Sequence, residues 1–170
     1  ISNKNTKVRL AGISSADFPQ IPDKIEKEDY VLPPEILNMI KNQVVFSAAT
    51  DETRPILTGV LFSFLKGNLQ AVATDGFRLS CKEIEIKNNI QESNILISAK
   101  IIDELCHIIG ESKEQVRISV LEKTKQILFA SQNFVLTGRV LEGDFPDFQR
   151  IIPKSFVYRV TTDKESLLKG

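Results

Sequence analysis

The run from Ala73 to Leu79, Ala-Thr-Asp-Gly-Phe-Arg-Leu, constrains the fold more than any other stretch, because it makes a strand-like run reverse. After Asp75, Gly76 accepts the positive φ that a tight turn needs, having no Cβ to clash. The bend leaves Phe77, Arg78 and Leu79 projecting from the end of a sheet. Upstream, Gly59 to Leu65 and Leu69 to Ala73 flank Lys66-Gly67-Asn68 as a hairpin. Downstream, Phe77 to Ile86 alternates into another strand and runs into a polar loop, residues 87–93. Read alone, the turn predicts an ordinary hairpin with a solvated Arg78.

Around these strands lie two helical patterns. Pro33 and Pro34 suit a first helical turn, and Ile36, Leu37, Ile40 and Val44 recur at helical spacing. Ile95 and Ile97 form a short strand, Ser98 is placed to cap a second helix, and Ile101, Ile102, Leu105, Ile108 and Ile109 make its apolar face until Gly110 ends it. Three strands follow, Val116 to Leu121, Gln126 to Ala130 and Phe134 to Leu141. The order predicts an α+β unit with helices on one side of antiparallel sheet.

Composition excludes more than it identifies. A chain of 170 residues with 42% hydrophobic content is that of a folded soluble protein with one full domain. Its 22 basic and 22 acidic residues produce no net field, so any contact with nucleic acid must come from a local arrangement of charge. Cys81 and Cys106 have no metal-ligand spacing and read as buried thiols, and no cofactor is implied. The lone histidine, His107, adjoins Cys106 in a helix, where neighbours point about 100° apart and cannot act as a pair. A hydrolase using Asp75 with Arg78 lacks any nucleophile elbow or phosphate loop beside it, so the chain reads as no enzyme. Apolar runs are strand-sized, short of the roughly 20 residues of a membrane span, and the expected location is cytoplasmic.

The ends predict a piece of a longer protein. Val8, Leu10 and Ile13 alternate as a strand already under way, and Thr161, Thr162 and Asp163 offer caps to a helix beginning at the other end. A weak echo links the two regions: each carries a strand, a bend and Asp-Phe-Pro, at Asp17 to Pro19 and again at Asp144 to Pro146, followed by Pro22 and Pro153 and then by an alternating segment. The spacing suits tandem domains.

Ala73 to Leu79, Gly143 to Pro153 (Gly-Asp-Phe-Pro-Asp-Phe-Gln-Arg-Ile-Ile-Pro) and Arg54 to Gly59 together resemble the bacterial DNA sliding clamp, the beta subunit of DNA polymerase III. The resemblance implies the clamp fold, with residues 1–22 ending a first domain, 29–154 forming a complete middle domain and 155–170 opening a third. It implies a processivity factor that encircles double-stranded DNA as a homodimeric ring when full length. The ring would bind short peptide motifs of the DNA polymerase III catalytic subunit, the clamp loader and repair proteins. The alternative is a stand-alone peptide-binding domain unrelated to replication. By resemblance the peptide pocket comprises Arg54, Leu57, Thr74, Gly76, Phe77, Arg78, Leu79, Pro146, Arg150 and Ile151. Leu57, Leu79, Pro146 and Ile151 would be apolar walls and the arginines and Thr74 polar anchors. The family often has histidine where Phe77 stands, and its pocket also uses residues late in the third domain. Helices of the family line the hole and meet phosphate without reading bases. Lys41 and Lys100, off the apolar stripes, are the DNA-facing candidates, although Asp103 and Glu104 share the second helix.

Overall fold

The computed structural model describes residues 2–3, 6–9, 11–14, 16, 21–22, 24–86 and 91–169. Two four-stranded antiparallel sheets carry the fold. In chain order the strands are β1 (Ser2–Asn3), β2 (Thr6–Lys7), β3 (Tyr30–Leu32), β4 (Gly59–Leu65), β5 (Asn68–Thr74), β6 (Leu79–Glu85), β7 (Ser93–Ser98), β8 (Val116–Leu121), β9 (Gln126–Ala130) and β10 (Val135–Arg139). The helices are α1 (Pro34–Gln43), α2 (Ala99–Ile109) and α3 (Lys164–Lys169). One sheet runs β6-β5-β4-β7 and the other β10-β9-β8-β3. They meet where Ile97 of β7 bridges Val140 and the Leu141 N–H donates to the Leu96 carbonyl at 2.9 Å.

Local chemistry accounts for the elements. Pro34 supplies a preset φ at the start of α1, where its missing N–H has no intrahelical acceptor, and Leu37 and Ile40 bury one stripe. Gly110 adopts φ +54° directly after α2, with its N–H on the Cys106 carbonyl at 3.2 Å. Both helices pack on the sheets' inner face, where Phe62 and Phe64 of β4 meet Leu37, Ile40, Ile102 and Leu105 in one core with Ile118 and Phe129. Burying each such side chain contributes about 1.5–3 kcal/mol. Tyr30 of β3 stacks on Phe64 with ring centres 3.7 Å apart, and its hydroxyl lies 2.6 Å from Ser93 Oγ, which clips the second sheet to the first.

Several expectations are corrected. Ser98 closes β7 opposite Gly59 and makes no capping bond, because its backbone belongs to the ladder until the helix starts. The strand expected from Phe77 starts at Leu79 and ends at Glu85, since residues 75–78 are spent on the turn. The strand expected over Phe134 to Leu141 shortens to β10, and Val140, whose N–H still donates to the Lys125 carbonyl at 3.0 Å, also bridges the other sheet. Val8, Arg9 and residues 11–14 have no regular structure where a strand was expected, while the short strands β1 and β2 pair with each other. Cys106 is buried but Cys81 is exposed, because it alternates onto the outer face of β6. The capping expected at the far end is present: Asp163 Oδ2 accepts from the Ser166 N–H at 3.0 Å. Asp17 to Pro19 and residues 87–90 of the polar loop lie outside the described residues.

Candidate functional site

Strand register decides which residues share a face. Directly opposed residues of an antiparallel pair point the same way, and the direction alternates along each strand. Thr74 pairs with Leu79, Val72 with Cys81 and with Leu61, and Leu61 in turn with Leu96. Thr74, Leu79, Val72 and Leu61 therefore stand on the outer face, opposite Ala73, Phe62 and Ile97 of the core.

The distant segment folds over this same outer face. Phe145, Pro146 and Phe148 line a shallow hollow together with Leu61, Ser63, Leu65 and Gln70, all outward-facing residues of β4 and β5. Phe148, on the 3-10 turn Phe148–Arg150, is buried there. Thr74 stands two positions beyond Val72, about 7 Å along the strand.

Residues 54–58 join the two halves. A Cβ placed on Gly76 would meet Arg54 Nη1 at 3.3 Å, and one on Gly143 would meet Ile56 Cδ1 at 2.5 Å. The turn 75–78, the 3-10 turn Pro55–Thr58 and the loop starting at Gly143 thus meet at one end of the sheet. Leu57 is half-buried and its carbonyl accepts from the Ala49 N–H at 2.8 Å.

The turn is rigidly organised. Gly76 has φ +94°, a conformation open to glycine without strain. Thr74 Oγ1 accepts from the Gly76 N–H at 3.1 Å and donates to the Arg78 carbonyl at 2.7 Å. Asp75 Oδ1 accepts from the N–H groups of Phe77 (2.9 Å) and Arg78 (3.0 Å), and Oδ2 accepts from Arg78 Nε at 3.0 Å. The backbone donors of Arg78 and Phe77 hold the Asp75 carboxyl below its ordinary range, with help from the Arg78 charge. Both carboxylate oxygens thus bond within the turn. Phe77 is 94% exposed.

The rest of the ten residues are less confined. Arg150 pairs with Asp147 at 2.7 Å and is exposed, and Ile151 is 60% exposed. Pro146 lies in the hollow over β4 and β5, whereas Thr74 and Leu79 belong to the end of the sheet beyond it. The two groups share a face, and neither Thr74 nor Leu79 lines the hollow that holds Pro146.

The expected DNA-facing lysines are each matched by a carboxylate. Lys41 Nζ lies 3.7 Å from Asp103 Oδ1, and Lys100 Nζ lies 2.6 Å from Glu52 Oε1. Glu52 is held below the ordinary carboxylate range by that hydrogen bond. Glu35, Asp103, Glu104 and His107 are exposed on the same helices, so the solvent side of the helix pair has mixed charge. Cys106 is buried and His107 exposed, as adjacent helical positions require.

A family model described as the DNA polymerase III beta subunit, central domain, matches residues 31–147. The chain belongs to this family. A beta sliding clamp of Halalkalibacterium halodurans is 36% identical over 91% of the chain and 41% of that protein. The beta sliding clamp of Bacillus subtilis is 29% identical over the whole chain and 45% of its own length. The crystal structure of the DNA polymerase III beta chain of Streptococcus pneumoniae superposes with a TM-score of 0.77 at 33% identity, covering 91% of this chain and 41% of that one. The α+β clamp fold is thereby shown, and the chain spans about two fifths of the length of these relatives. Among the described residues no helix is long and apolar enough to cross a membrane.

What the sequence missed is Phe46. It lies on the 3-10 turn Val45–Ser47, and its ring centre stands 5.6 Å from Arg78 Cζ. No motif singles it out, because it lies just past the first helical stripe and meets its partner only through folding.

Proposed function

We propose that this chain is the middle part of a sliding-clamp subunit, a non-enzymatic processivity factor of DNA replication. Residues 1–22 would close a first clamp domain, 29–154 form the second and 155–170 open the third. In the full-length protein two subunits form a ring around duplex DNA and hold it without reading its sequence. The outer-face site engages short peptide segments of the DNA polymerase III catalytic subunit, the clamp loader and other replication or repair proteins in the cytoplasm.

The observation that carries this reading is that residues 54–58 bring the turn at Gly76 and the loop starting at Gly143 together at one end of the sheet, while residues 145–148 lie on the same outer face over β4 and β5. Leu57 and Leu79 offer apolar surface at that end and Pro146 extends it along the same face, and Arg54 and Arg78 offer donors at its edge, which suits a peptide of apolar side chains with exposed carbonyls. No metal, cofactor or nucleophile is needed for tethering. Ile151 is exposed, and Arg150 is exposed in an ion pair with Asp147 that a ligand would meet.

The test is primer extension on a long, singly primed circular template with full-length protein and its loader. Product length should rise strongly with wild-type protein and fall back toward clamp-free length when Leu79 and Pro146 are both replaced by alanine. Undiminished processivity of that double variant would overturn the assignment.

A further inference from the structure

The Arg78 guanidinium is held from two sides. Its Nε donates to Asp75 Oδ2 at 3.0 Å, and its Cζ stands 5.6 Å from the Phe46 ring centre. That separation is inside the roughly 6 Å over which a cation is attracted to a ring face. Phe46 itself is 55% exposed, so its ring is not placed by burial. What places it is the short turn that carries it: Val45 and Ser47 on either side are buried, and Ser47 Oγ lies 2.8 Å from Ser80 Oγ on β6. The turn is thus fastened to the strand two residues beyond Arg78.

An arginine side chain loses rotamer entropy when it is fixed, and a group ordered beforehand loses less of it on binding. Asp75 occupies Nε, so the two terminal nitrogens of Arg78 are the donors that remain. Their fork matches a carboxylate or a pair of carbonyl oxygens. We propose that Phe46 is a positioning residue of the peptide site, holding the Arg78 guanidinium so that its terminal nitrogens meet a carboxylate or carbonyl group of the bound peptide. The inference rests on the peptide-site reading above. Phe46 need not touch the peptide, and its influence passes through Arg78.

Full-length protein, a labelled clamp-binding peptide of the polymerase catalytic subunit and fluorescence anisotropy test this. Phe46→Leu should weaken binding about threefold, and Phe46→Tyr, which keeps the ring, should stay within about twofold of wild type. In an Arg78→Ala background, adding Phe46→Leu should change affinity by less than about 1.5-fold, because the residue through which it acts is gone. The Arg78 Nε–H resonance should move in Phe46→Leu and not in Phe46→Tyr, a signature that general loosening of the fold does not predict. If Arg78→Ala weakens binding but Phe46→Leu does not, or if Phe46→Leu costs the same in both backgrounds, the positioning role is wrong while the site stands. If Arg78→Ala leaves affinity unchanged, or wild type fails to bind, the site reading falls and this inference with it.

Discussion

Gly143 packs against Ile56 so closely that a Cβ on the glycine would stand 2.5 Å from Ile56 Cδ1, and its φ of +136° is one that side chains resist. The contact fixes where the loop bearing Pro146 leaves the sheet, beside the turn bearing Leu57. Gly143→Ala should therefore cost about 1–2 kcal/mol of stability, read as a lower midpoint in denaturant, and should weaken peptide binding in the full-length protein. An alanine variant as stable as wild type would show that the loop is not held there.

Asp75 anchors the turn through the Arg78 and Phe77 N–H groups, which lower its pKa from 3.8. A carboxyl with a folded value below its unfolded one supports the fold fully above the unfolded value. That support is lost as pH falls through the folded value. In an NMR titration the Phe77 and Arg78 amides should move together with a midpoint below 3.8. A midpoint at or above the ordinary value would mean the bonds do not persist in solution.

Lys100 and Glu52 make an exposed pair at 2.6 Å. If α2 faces duplex DNA, Glu52→Gln removes the competitor of phosphate for that lysine. DNA affinity of the full-length protein at low salt should rise about twofold, and the gain should shrink as salt screens both interactions. Unchanged affinity in anisotropy measurements across the salt series would place Lys100 away from DNA.

Phe62 and Phe77 separate core from surface. Phe62 is 1% exposed, and Phe62→Ala should cost about 3–5 kcal/mol. Phe77 is 94% exposed, and Phe77→Ala should change stability by less than about 0.5 kcal/mol in the same urea titration. A large loss at Phe77 would mean that the turn is packed against something in solution.

Elements with strong local signals were legible in the sequence. α1, α2 and the hairpin of β4 and β5 follow from apolar spacing, Pro34, Gly110 and Gly67, all of which act within a few residues. The outer-face placement of Pro146 was legible only through resemblance, since a contact between Phe148 and β4 leaves no periodic trace. The same holds for the join at Ile97 and Val140, which shortened a strand read as continuous, and for Cys81, whose exposure depends on the pairing partner of β6. Lys41 and Lys100 were legible as off-stripe cations, but their carboxylate partners Asp103 and Glu52 come from other elements and appear only in three dimensions.

The central claim is that Leu57, Leu79 and Ile151 serve one peptide. Methyl-labelled full-length protein titrated with a clamp-binding peptide of the polymerase catalytic subunit tests it most directly. The account predicts that the methyl resonances of all three shift along one binding curve and show intermolecular contacts to the peptide. Shifts confined to methyls elsewhere, with these three unmoved at saturation, would contradict it.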